Sequence, residues 1–281
     1  MSSRGHDLDA RQLGGRLLIV LGMAIALVGG ALLARQAKGA RSYASLLASG
    51  PALAGQEANE GQQPMASVSD RPGASAPYIA DPSLARRGRY VDWDALRDIN
   101  EQVVAWVDIE DADISLPVCQ AEADAPDYYL THDLWGNESV AGCLYVDCRA
   151  DAHARHELVY GHHLTGTGGM LSNLFACADQ DVFDELLSGD VLWLTPEDGK
   201  RRLHPLCALA VDQSCDDVQC FDFEDEASFR TWLQALCGKA SARAPDAELH
   251  ASRATRAVSL VTCSSLLSGQ RGRTVVVLVD A

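Results

Sequence analysis

From about residue 91 onward, apolar residues come in short runs separated by turn-forming and charged residues. Eight runs have the length and β-branched content of strands: 103–109, 114–119, 143–147, 157–160, 190–195, 202–211, 257–263 and 274–279. Three segments follow helical spacing instead. Residues 92–100 place Trp93, Leu96 and Ile99 on one face. Residues 171–178 follow a Gly-rich turn, and their pattern continues through 181–187. Residues 224–238 carry Phe229, Trp232, Leu233 and Leu236 as an amphipathic stripe ahead of the seventh strand. Many short strands with a few inserted helices predict a mainly β chain that closes, or nearly closes, into a barrel. No internal repeat is evident.

The first third reads differently. Residues 17–34 contain no charge, and as a helix they would be about 27 Å long, near the hydrocarbon thickness of a bilayer. Arg4, Arg11 and Arg16 precede this run, and Arg35, Lys38 and Arg41 come after it, so flanking charge gives little orientation. A cleaved signal peptide is the rival, with poor cleavage sites ending at Ala34 or Ala40. The retained anchor is the better match, and either reading exports the rest of the chain. Residues 35–85 are rich in Ala, Gly, Ser, Gln and Pro and read as a flexible spacer. The expected organisation is a cytoplasmic stretch at 1–16, an anchor at 17–34, a linker at 35–85 and one domain at 86–281.

Composition narrows the function. The chain has 281 residues and is 47% hydrophobic, enough for a substantial core. Its formal net charge is −16, with 39 acidic and 23 basic residues, which disfavours a general nucleic-acid binder. Nine cysteines would permit four disulfides and one free thiol in an exported protein. The plainer reading makes several of them small buried hydrophobes. There is no Cys-x-x-Cys pair to suggest structural zinc.

Candidate chemistry sits at strand ends. Cys263 ends the seventh run, Arg273 opens the eighth, and His162 comes directly after the run that ends at Tyr160-Gly161. A thiol, an imidazole and a guanidinium could supply a nucleophile, a proton carrier and an anion stabiliser. Each has a plainer reading: a buried structural thiol, a satisfied surface histidine, a charge guarding a strand edge. Arg271 competes with Arg273. His162 and His163, with His153 and His156 nearby, could instead hold a metal. Adjacent strand residues point to opposite faces, which makes shared chelation by the first pair difficult.

Together, Tyr160-Gly161-His162-His163, Thr262-Cys263 and Arg273-Thr274-Val275-Val276-Val277 resemble the sortases, membrane-anchored cysteine transpeptidases of Gram-positive bacteria. The resemblance runs from about residue 90 to 281. It includes Ile99–Val107, Asp127–Asp133, Gly136–Asp147 and Gly169–Leu174, and the helix before the Cys run is similar to class B. The chain ends soon after Val279 without a second apolar span, unlike the pilus-building class C. Asn is at least as usual as His after the residue at His162, the residue before Thr262 is more often Ser or Thr, and Cys143 and Cys148 are unusual. The resemblance implies an eight-stranded sortase-type barrel with an N-terminal helix and an inserted helix before the Cys strand. It implies cleavage of a C-terminal sorting signal through a thioacyl-enzyme on Cys263, with His162 as acid and base and Arg273 at the oxyanion. Expected partners are sorting-signal-bearing surface proteins and a peptidoglycan-derived or other amine, with no cofactor, metal or nucleic acid. The expected location is the cell membrane, single-pass, with the catalytic domain outside. The rivals are a hydrolytic cysteine peptidase and a catalytically silent surface-binding domain. A papain-type enzyme is disfavoured, because there the Cys precedes the His.

Overall fold

The computed structural model describes residues 30, 41, 43, 91–150, 154–164, 169–263 and 271–280, with Cys263 described by its backbone alone. Among the described residues nine strands form one sheet: β1 (Val103–Ile109), β2 (Ile114–Gln120), β3 (Leu144–Val146), β4 (His156–Tyr160), β5 (Val191–Thr195), β6 (Gly199–Asp212), β7 (Ala242–Arg243), β8 (Arg256–Cys263) and β9 (Gly272–Asp280). Their order is β5-β1-β2-β3-β4-β8-β9-β6-β7, and a further β5–β6 pairing closes the first eight into a barrel. Two-residue β7 is an appendage on β6. The expected eight-stranded barrel is therefore present.

Strand β6 makes the closure possible. Its first part, Gly199–Leu203, pairs with β5, and its second part, His204–Asp212, pairs with β9. The register shifts between Pro205 and Cys207. Proline has no N–H to give a ladder, and a bulge bends the strand at that point, so β6 turns the corner between the two partners. The β5–β6 turn ends at Gly199, whose φ of +70° suits a residue without Cβ.

Among the described residues from 91 onward, five helices lie on or between the strands: α1 (Trp93–Ile99), α2 (Tyr128–Thr131), α3 (Gln180–Leu186), α4 (Glu226–Lys239) and α5 (Ala247–Arg253). Asp92 caps α1 and Asp179 caps α3 through their side chains. Asp225 and Ser228 form a capping box on α4. Helix α4 buries Phe229, Leu233 and Leu236, so most of the predicted stripe faces the core, while Trp232 is half-buried. Trp106 and Trp193 are fully buried.

Two expectations are corrected. Residues 171–178 form turns around a single 3-10 turn, Ser172–Leu174, rather than a helix. Helices α2 and α5 were not anticipated. The eight described cysteines are all free thiols. Cys119 and Cys143, both buried, bring their Sγ atoms to 3.8 Å without a bond, and burial pushes the Cys177 thiol up to about 12.

The expected anchor at 17–34 lies outside the described residues apart from Gly30. Among the described residues no helix is long and apolar enough to cross a membrane. The 35–85 stretch also lies outside, except that Arg41 and Tyr43 have helical backbone and Tyr43 is buried. The Tyr43 hydroxyl donates to the Gly142 carbonyl at 2.9 Å and accepts from the Leu134 amide at 3.2 Å. Its ring packs 5.5 Å from that of Trp135.

Candidate active site

The barrel topology brings three chain segments to one end. Strands β4 and β8 are parallel, with Tyr160 opposite Val261, so both leave the barrel at the same rim. Strand β9 is antiparallel to β8, so its first residues start where β8 stops, and Cys263 pairs with Arg273 across the ladder. His162 lies two residues past β4. The Gly161 amide extends the pairing by donating to the Val261 carbonyl at 3.0 Å.

Gly161 permits that exit. A Cβ there would lie 2.4 Å from Leu144 Cδ2 and 2.7 Å from Leu171 Cγ, closer than a side chain can sit. Gly142 forms the seat of the imidazole. Its φ is +62°, and a Cβ would fall 2.3 Å from the Tyr129 carbonyl oxygen and 3.3 Å from His162 Cδ2. The half-buried His162 ring places Nε2 2.7 Å from the Leu130 carbonyl oxygen. A carbonyl only accepts, so Nε2 carries the proton and Nδ1 is the basic nitrogen of the neutral ring.

His163 goes elsewhere. It bridges to Met170, stacks on Phe175 at 4.5 Å, and its buried Nδ1 has no hydrogen-bond partner among the described residues. The two histidines thus separate as anticipated, although they lie just past the strand instead of within it. His156 is fully buried, with its ring nitrogens 2.8 Å from the Cys220 carbonyl oxygen and 2.9 Å from Ser259 Oγ. His153 lies outside the described residues.

A cavity of about 500 Å³ opens at this rim, with His162, Thr262 and Arg273 in its wall and an apolar lining that includes Leu158, Val261 and Val275. Arg273 donates to the Gly272 carbonyl and to Gln213 Oε1, each at 2.9 Å. Arg271 does not line the cavity. It sits just before β9 and pairs with Asp212 at 2.8 Å, and that bond holds the Asp212 carboxyl far below the usual range.

The pattern of strands gave no warning of a second polar group in the same wall. Asp147 and Arg149 come just after β3, and Gln219 comes just after a 3-10 turn at Asp216–Val218. The spacing Asp147-x-Arg149 at a strand end was the available signal. Asp147 accepts from Arg149 Nε at 2.9 Å and Nη2 at 2.6 Å, and from the Tyr160 hydroxyl at 3.1 Å. Burial works against its charge, but the Arg149 and Tyr160 hydrogen bonds together hold the carboxyl below its usual value.

Among solved structures, a mutant form of Clostridium perfringens sortase B matches at a TM-score of 0.59 and 19% identity, covering 68% of this chain and 86% of that one. A Staphylococcus aureus sortase B–substrate complex matches at 0.56 and 21%, covering 67% and 83%. The chain has the class B sortase fold. In sequence, 93 residues are 31% identical to a curated Sortase B of Listeria monocytogenes serovar 1/2a, covering 31% of this chain and 37% of that protein. The chain thus spans well under half the length of this curated sortase relative. No family model matches. The resemblance read from the motifs is to the family whose fold this chain shares.

Proposed function

We propose that this chain is a sortase-type cysteine transpeptidase with Cys263, His162 and Arg273 as its catalytic residues. The observation that carries the reading is the meeting of the β4, β8 and β9 ends around one cavity, with Cys263 directly across the ladder from Arg273. The Cys263 thiolate attacks a backbone carbonyl of a sorting signal, and the developing oxyanion takes hydrogen bonds from the Arg273 guanidinium. Collapse expels the amine, which receives its proton from His162, and leaves a thioacyl-enzyme. An incoming amine then loses a proton to His162 and displaces the thiol. The cavity's apolar lining and polar rim suit a short peptide.

In this reading residues 17–34 anchor the chain with residues 86–281 outside the membrane. The substrates are surface proteins bearing a C-terminal sorting signal, and the acceptor is a cell-wall or related amine. Mass spectrometry of the full chain with a library of fluorogenic peptides tests the chemistry. The expected result is a covalent acyl adduct on Cys263, loss of that adduct in Cys263→Ala, and an amide product when a glycine peptide is supplied. Cleavage by Cys263→Ala would overturn the assignment. Release of free acid alone, whatever amine is present, would leave a hydrolytic peptidase.

A further inference from the structure

We infer that Arg149 is a specificity-determining residue that binds a carbonyl oxygen of the peptide substrate in the cavity shared with His162 and Arg273. This rests on the transpeptidase reading and deepens it. The guanidinium is fixed on three sides. Its Nε and Nη2 grip the Asp147 carboxylate, Nη2 also donates to Gln219 Oε1 at 2.9 Å, and its flat face lies 4.6 Å from the centre of the Phe221 ring. Three of its five N–H groups are thereby used, and the two on Nη1 have no partner among the described residues. The side chain is half exposed while its Asp147 partner is 8% exposed, so a held cation meets solvent within the cavity wall.

A fixed guanidinium with its fork engaged loses little entropy when it binds an acceptor. The surroundings select the acceptor's charge. Asp147 remains ionised beneath Arg149 and offsets its charge, Arg271 offsets Asp212, and Asp127 shares the lining with Arg273, so the cavity wall carries no net positive charge to hold an anion. An anionic ligand is disfavoured there, and a neutral carbonyl, from a peptide bond or a side-chain amide, matches Nη1.

Steady-state kinetics of the full chain with the fluorogenic peptide library test the inference. Arg149→Ala should raise KM by about 10- to 100-fold, the range of one hydrogen bond to a charged group, and change kcat little. Arg149→Lys should not restore it, because a single ammonium nitrogen cannot span both Asp147 oxygens and also reach the position of Nη1. Gln219→Ala removes one of the holds but leaves Nη1 and the Asp147 fork in place, and should raise KM by clearly less than Arg149→Ala. Replacing substrate side-chain amides by alkyl groups, or single peptide bonds by thioamides, should identify the bound oxygen as the one whose loss costs nothing further in Arg149→Ala. Unchanged KM in Arg149→Ala, or a Gln219→Ala defect of equal size, overturns the inference in favour of a latch between two loops. Absence of any thioacyl-enzyme in the wild-type chain defeats the transpeptidase reading and this inference with it.

Discussion

His162 and His163 are neighbours in sequence with different surroundings, and this makes them separable. His162 is seated on Gly142, tied through Nε2 to the Leu130 carbonyl, and faces the cavity. His163 stacks on Phe175, and its buried Nδ1 has no partner among the described residues. His162→Ala should lower kcat/KM by about 100-fold or more, the usual range for losing a general acid–base. His163→Phe retains the stacking and removes a buried unsatisfied nitrogen, so activity should stay within about threefold. The arginines divide in the same way. Arg273→Ala should cost about 100- to 1,000-fold in kcat, whereas Arg271→Ala breaks only an exposed pair with Asp212. Peptide-cleavage kinetics of the four variants settle the assignment, and equal losses within either pair would reverse it.

At the scale of the element, β4 carries two adjacent titrating groups shifted in opposite directions. Burial pushes His156 down to about 4 and Glu157 up to about 7, even though Arg201 and Arg256 pull Glu157 the other way. For His156, the unfolded chain takes up a proton below about pH 6.5 while the folded chain does so only near 4, so acid weakens the fold across that window. For Glu157, the unfolded chain releases its proton above about 4.5 and the folded chain holds it to about 7, so rising pH weakens the fold. Between roughly pH 4.5 and 6.5 each state binds one of these two protons, on different residues, and the effects cancel. Single variants should expose them, with slopes of up to about 1.4 kcal/mol per pH unit. Relative to wild type, His156→Gln should lose stability as pH rises through this window and Glu157→Gln should gain it. Urea unfolding at stepped pH measures both, and parallel profiles for the two variants would contradict the account.

For the whole molecule, the barrel's packing reaches further upstream than its strand pattern. Tyr43 fills a site against Trp135 and satisfies the buried Leu134 amide and Gly142 carbonyl. Gly142 is also the seat of His162, so the upstream segment supports the wall that holds the imidazole. Tyr43→Phe should cost about 1–2 kcal/mol, because it leaves those backbone groups unpaired. Tyr43→Ala should cost about 3–5 kcal/mol, because the ring's contacts are lost as well. Denaturant unfolding of the full chain reads both values, and wild-type stability in Tyr43→Ala would show that the contact contributes nothing.

Much of the barrel was legible because β-strands announce themselves locally. Runs such as Val103–Ile109 and Ala257–Cys263 are β-branched, of strand length and bounded by turn residues, and the structure places all eight predicted strands within a few residues. Helix α5 was hidden because its buried positions, Ala247 and Ala251, carry almost no apolar signal. Helix α2 is too short, at four residues, to show a period. Cys263, His162 and Arg273 were visible as reactive side chains at strand ends, since residue type and punctuation are properties of the chain itself. The ten-residue spacing made the return of Arg273 beside Cys263 readable as well, but the arrival of the β4 end beside them was not, because it depends on the parallel pairing of β4 with β8, whose partners lie about 100 positions apart. The Asp147–Arg149–Gln219 bridge likewise joins two loops that only barrel closure brings within hydrogen-bonding distance. Local pattern determines which segments are extended and which side chains can do chemistry. Register and closure decide which of them share a cavity, because both are set by the burial of the whole core and not by any one segment.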